Sequence, residues 1–277
     1  MNPGAKSRKL LYVSGGNFNE VFVYTYPKSK LVGTLTGFQY PASPCTDKDG
    51  DVWIPNWDGA NIVEYAHGGT SVISTLSVPN MTPGDCSVDP TTGNLAVVGY
   101  SENSTSGTLA IYVGAKGSPR IVPVDSTGSV SCTYDDKGNL FVDGQGFSEK
   151  PPFVFGEVRK GEWKFKPIQL HPVPFQPGAV RWDGKYVAVA VANSIYRFAI
   201  RDRKATEVGS HYLDDIYWIG GLWIQGDKVI ATDLFGSGYY PQALFYAYPA
   251  GGEPISTIPG TDYESGVTVS AMPKGPQ

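Results

Sequence analysis

Short apolar runs of five to seven residues recur along the chain, each preceded by a turn rich in Gly, Asp and Asn. "VWIPN", "LAVVG", "LFVDG", "YVAVAVA" and "VIATD" follow the turns "DKDGD", "DPTTGN", "DDKGN", "WDGK" and "QGDK". The turn glycines Gly50, Gly93, Gly138, Gly184 and Gly226, with a sixth at Gly275, stand 42 to 49 residues apart. Short hairpin loops need a residue at φ > 0, which a Cβ resists, so glycine belongs there. Asp47, Asp89 and Asp135 lie just before it, where a carboxylate can accept from turn amides. After each first run comes a variable loop and a second run, as in "NIVEYA", "TLAIYV", "FVFGEV", "SIYRFAI" and "ALFYAY". A weaker third run follows, and then "PGDCSVD", "GSVSCTYD", "PGAVRWD" or "GGLWIQ" starts the cycle again. Four strands per unit of roughly 45 residues, without helical periodicity, is the pattern of a propeller blade.

The two ends complete the count. The chain opens on a second-position strand, "LLYVS" at 10–14, and finishes on an inner strand, "SGVTVSA" at 265–271. Joined, they make one blade and leave no half-blade open to edge pairing. The expectation is an all-β, six-bladed β-propeller with four antiparallel strands per blade, its ring closed by a blade from both termini. One domain spans 9–273, with flexible tails at 1–8 and 274–277.

Composition narrows the function classes. The 34 glycines, 22 prolines, 17 tyrosines, 12 phenylalanines and 6 tryptophans suit an all-β chain. Net charge is −4 with both signs interspersed, so the broad cationic field that nucleic acid requires is missing. Arg197, Arg201, Arg203 and Lys204 read as a solvated hairpin turn. No run approaches the roughly 20 apolar residues of a membrane span. "MNPGAKSRK" has no apolar segment behind its basic residues, so no export signal is visible. The compartment stays open, and a secreted or periplasmic one would require a leader removed from this sequence. Three cysteines without a C-x-x-C argue against a disulfide framework or a structural zinc site. Cys45, Cys86 and Cys132 all read as small buried residues on inner strands. His67, His171 and His211 fall at unrelated phases of the repeat and read as surface or capping residues. A monomer is expected.

The order of inner strand, "D-x-x-G-N" turn and then "LFVDG" or "VIATD" resembles the NHL-repeat and SMP-30/gluconolactonase-like group of six-bladed propellers. "EYAHGGT" and "CSVDPTTGNLAV" are similar to bacterial NHL-like proteins. "WDG" occurs at 57–59 and 182–184, but at different phases and without a Gly-His, so a WD40 reading fails. SMP-30-like lactonases and hydrolases hold a divalent metal such as Ca²⁺ at the channel mouth. Of the matching positions here, only Asp85 and Glu264 carry carboxylates, and no asparagine stands beside the glycines.

Loops in a four-stranded meander alternate between faces. The glycine turns occupy one face. The long, variable loops and crossovers occupy the other, where function usually sits. That face carries Trp57, Asp58, Asp85, Tyr100, Phe147, Asp214, Trp218, Tyr239, Tyr240 and Glu264 as candidate ligand-binding residues. Aromatic faces beside carboxylates suit a sugar, an amine-bearing organic cation or a peptide, as small molecule or as protein partner. Asp143 and Asp233 stand at the equivalent position in the runs "LFVDG" and "VIATD" and read as acceptors for loop amides. No G-x-S-x-G, H-E-x-x-H, P-loop or G-x-G-x-x-G occurs. The leading expectation is a binding module without chemistry of its own. The alternative is a metal-dependent lactonase or hydrolase using Asp85 and Glu264. A lyase or isomerase with Asp214 or Asp215 as base is a third reading.

Overall fold

The computed structural model describes residues 1–101, 107–146, 153–171, 174, 176–234, 242–259 and 264–272, with backbone alone at Ser129, Gln242 and Glu264. Its strands pair within six sheets of four. The innermost strands are Cys45–Thr46, Met81–Val88, Gly128–Tyr134, Ala179–Trp182, Ile219–Gln225 and Glu264–Ser270, which number blades 1 to 6 in that order. Each inner strand packs against the next, and the last against the first, so the ring is closed. Blade 6 is built from both ends of the chain: Glu264–Ser270 runs antiparallel to Leu10–Gly15, with Leu10 opposite Ser270. The chain is a six-bladed β-propeller. Two 3₁₀ turns, Ala5–Ser7 and Val113–Ala115, are the helical pieces among the described residues. None of these is long or apolar enough to cross a membrane.

The turn chemistry follows the repeat. Gly93 sits at φ +73°, and an added Cβ would meet nothing within 4 Å, so backbone conformation alone requires glycine. Asp47 Oδ1 accepts from Asp49 N and Asp51 N, and Asp135 Oδ1 from Lys137 N and Asn139 N. Asp143 and Asp233 are fully buried. Asp143 accepts from Ser131 N and Gly178 N, and Asp233 from Tyr217 N and Trp218 N. Both anchor crossovers, as their repeated position implies.

The apolar core lies between neighbouring blades; Trp53 of blade 1, for example, packs with Met81 and Tyr112 of blade 2. One repeat position, two residues before the turn aspartate, ties the inner strands together. In blade 2 it is Ser87, whose Oγ accepts from Tyr134 N of blade 3 at 3.0 Å. In blade 3 it is Thr133, whose Oγ1 accepts from Trp182 N of blade 4 at 3.0 Å. In blade 1 it is Cys45, bonded covalently to Cys86 of blade 2. Adjacent inner strands run parallel here, joined at Ser43 and Asp85, which brings the two Cα atoms to 5.6 Å. The expectation of three free cysteines is thus corrected to one disulfide and one free, buried thiol, Cys132.

Within residues 1–8, Asn2 N donates to Val32 O, and Ala5 is buried in the core between blades 6 and 1. One further expectation changes. His67 is an interior residue, with ring nitrogens on Ser270 Oγ and Arg8 O. In the basic hairpin, Arg197 pairs with Asp183, and Arg203 with Glu157 and Glu162, while Arg201 and Lys204 are exposed. Residues 274–277 lie outside the described residues.

Candidate functional site

The axis of the ring is closed by a charged side chain from an inner strand. Arg181 of blade 4 reaches Asp85 of blade 2 in a bidentate pair, Nη1–Oδ2 at 2.8 Å and Nη2–Oδ1 at 2.9 Å. Its Nη1 also donates to Cys132 O of blade 3 at 3.1 Å, and its Nη2 to Ser43 Oγ beside blade 1 at 3.1 Å. Asp85 is 2% exposed and accepts further from Cys86 N and Cys132 N. Ser131 Oγ donates to Asp85 Oδ2 and accepts from Val180 N. A buried charge is tolerable only when paired and fully hydrogen-bonded, and this one is. Burial pulls the Arg181 pKa down while Asp85 pushes it up further, so the net shift is upward. Nearby, burial pushes Asp143 up to about 8 against its two backbone bonds.

One residue before Ser43, Asp85 and Ser131 stand Ala42, Gly84 and Val130, which line a cavity of about 470 Å³ together with Tyr40, Trp57, Asp58, Tyr100, Gly220, Leu234 and Ser265. Among the described residues, three rings form its aromatic wall. The Tyr40 and Trp57 centroids are 6.5 Å apart at 62°, and Trp57 and Tyr100 are 5.6 Å apart at 55°. Inclined rings of this kind make a concave cup rather than a flat platform. The local backbone explains their placement. Trp57 N donates to Tyr40 O and Asp58 N to Gln39 O, stitching the crossover before blade 1 onto its second-strand loop. Tyr40 stands at φ +59°, an outlier for a bulky residue, with its N–H held by Asn19 Oδ1 at 2.7 Å. At Gly128 a Cβ would lie 2.3 Å from the Tyr100 ring, so that ring can settle over the strand only because no side chain is there.

The structure therefore brings Trp57, Asp58 and Tyr100 together in one lining, while Asp85, next to lining residue Gly84, is buried outside it. Asp214 and Trp218 are not in the cavity lining. Asp214 N donates to Gly252 O and its carbonyl accepts from Tyr246 Oη, which ties it to the outer hairpin of blade 5. Trp218 O accepts from Leu234 N, beside the cavity wall. Phe147, Tyr239 and Tyr240 lie outside the described residues. Glu264 is described by its backbone alone, paired with Gly15. Arg181, Ser131 and Ser43 did not figure in the sequence-based site. The available signal was an arginine inside the apolar inner run "PGAVRWD".

At the other end of strand Val52–Asn56 from Trp57, Asp47, Asp51 and Glu64 hold carboxylate oxygens within 4.8 Å of one another. Burial first, then the charges of Asp51 and Asp47, push Glu64 up to about 7.

No protein-family model matches the chain, and no curated protein matches it. Solved structures do. A protein of unknown function from Bacteroides caccae is 13% identical with a TM-score of 0.68, over 95% of this chain and 99% of that one. A chain in a nidogen/laminin complex is 10% identical with a TM-score of 0.74, over 96% and 100%. A functionally unknown protein from Desulfotomaculum acetoxidans is 10% identical with a TM-score of 0.63, over 94% and 98%. At these identities the likeness is one of fold.

Proposed function

We propose that the chain is a binding propeller that captures a small molecule in the cup of Tyr40, Trp57 and Tyr100, without covalent chemistry. The observation carrying this reading is the convergence of three aromatic rings on one cavity, whose lining residues Ala42, Gly84 and Val130 immediately precede Ser43, Asp85 and Ser131 of the Arg181 cluster. A rigid, mostly apolar concavity with a few polar groups is the usual form of a small-molecule site. Trp57→Ala and Tyr100→Ala are expected to weaken a ligand found by thermal-shift screening at least tenfold while the fold persists. Unchanged affinity in both variants would place the ligand elsewhere.

A divalent ion at Asp85, which the family resemblance implies, does not fit this donor set. Both carboxylate oxygens are engaged, and the Arg181 guanidinium supplies the positive charge an ion would bring. Our reading therefore contains no metal step. Protein stripped with EDTA is expected to melt at the same temperature with or without Ca²⁺, Mg²⁺, Mn²⁺ or Zn²⁺. A stabilising shift that disappears in Asp85→Ala would instead favour the hydrolase alternative.

A further inference from the structure

We infer that the occupant of the cup is an organic cation of the alkylammonium class. The inference rests on the reading of the cup as a small-molecule site and goes on to name the ligand's chemistry.

Ring geometry is the first support. A cation is attracted to the face of an aromatic ring when it lies within about 6 Å of the centroid. Neighbouring centroids at 5.6 and 6.5 Å, inclined at 55° and 62°, leave creases in which one ammonium group meets two rings at once. A flat sugar or aromatic ligand would be served better by a parallel platform.

The remaining lining is the second support. Ala42, Gly84, Val130, Gly220 and Leu234 offer alkyl surface and backbone. Among the described residues the side-chain polar groups are Asp58, two tyrosine hydroxyls, the Trp57 indole N–H and Ser265, whose Oγ already donates to Pro41 O at 2.7 Å. A polyol would leave most of its hydroxyls without partners here, at a penalty for each. An alkylated ammonium needs few hydrogen bonds and much π and alkyl contact.

Charge is the third support. Among the described residues the cavity lining contains no Lys, Arg or His, and Asp58 stands exposed at its rim. Arg181, outside the lining, is matched in charge by Asp85. Among the described residues the lining presents one carboxylate and no cationic side chain, which disfavours an anion and favours a cation.

The test uses choline and its uncharged carbon isostere, 3,3-dimethyl-1-butanol, titrated into the full chain. Trp fluorescence and ligand-observed NMR report binding, and methyl β-glucoside serves as a neutral polyol control. Choline is expected to bind at least tenfold more tightly than the isostere, and to weaken with added salt. Asp58→Asn, at an exposed position, is expected to weaken choline several-fold and leave the isostere unchanged. Trp57→Ala is expected to abolish choline binding. Equal affinity for choline and isostere overturns the cation assignment but keeps the small-molecule reading, as does glucoside binding that depends on Trp57. Failure of all three probes to perturb the protein overturns the cation assignment. If a wider fragment screen then also leaves Trp57 and Tyr100 undisturbed, the small-molecule reading falls with it.

Discussion

Arg181 occupies a strand position where its repeat neighbours are Cys45, Ser87 and Thr133, and its head group holds together four segments of the ring. Removing one partner of a buried, bonded pair leaves the other charge stranded and costs about 3–5 kcal/mol. Arg181→Ala is expected to destabilise by that amount in denaturant unfolding, and Arg181→Met with Asp85→Leu by clearly less. A single-variant loss below 1 kcal/mol would show that the pair is solvated in solution. Glu64 offers a second test. Its pKa of about 7 lies above its ordinary value of 4.5, so above pH 7 the fold carries a carboxylate it disfavours. As pH falls from 7 towards 4.5, the folded state takes up the proton first and stability is regained. Glu64→Gln is therefore expected to raise the melting temperature at pH 8 and to leave it unchanged near pH 4. A gain that is constant with pH would contradict this assignment. At this scale, the aromatic half of the cup was legible because loop position betrays Trp57 and Tyr100. The neighbouring Arg181 cluster was not, because the pairing of Arg181 with Asp85 crosses two blades and depends on how strands converge at an axis, which no local pattern encodes.

The inner strand is the element on which the molecule depends, and its cross-links vary from blade to blade while their location does not. Between blades 1 and 2 the link is the Cys45–Cys86 bond, spanning 41 residues. Closing a loop of that length removes about 4 kcal/mol of unfolded-state entropy in the chain-entropy model. Cys45→Ser with Cys86→Ser, or reduction, is expected to lower the denaturant midpoint accordingly. A midpoint insensitive to reductant would mean that the bond does not form in solution. Hairpins, strand order and the number of blades could all be read beforehand, since each depends on local turn chemistry and a period of two. The disulfide could not, because Cys45 and Cys86 sit at different distances from their turn aspartates, Asp47 and Asp89. Only the parallel join at Ser43 and Asp85 brings them level. The docking of residues 1–8 likewise follows from a long-range contact, Asn2 with Val32, that periodicity does not report.

On the scale of the whole molecule, the ring is held shut where the two ends of the chain meet. Leu10–Gly15 pairs with Glu264–Ser270, and His67 of blade 1 reaches Ser270 Oγ and Arg8 O across that seam. Burial, the leading cause, lowers the His67 pKa below its ordinary 6.5. The unfolded chain takes up this proton at its ordinary value and the folded chain only at lower pH. Stability is thus complete above pH 6.5 and is lost as pH falls below it, until the folded pKa is reached. The advantage of the wild type over His67→Gln in thermal melts is expected to shrink between pH 7 and pH 5. An advantage that holds constant would show that the ring does not stay neutral. The seam also has a direction. Leu10 faces Ser270 at one corner, so the two chain ends leave the blade side by side. If the ends were tethered and pulled apart, residues 1–8 would peel away first. Load would then fall on the Leu10–Ser270 rung alone, then on the next, and the blade would open like a zipper instead of resisting in shear. A propeller closed in this manner is mechanically weakest when force is applied at those two ends.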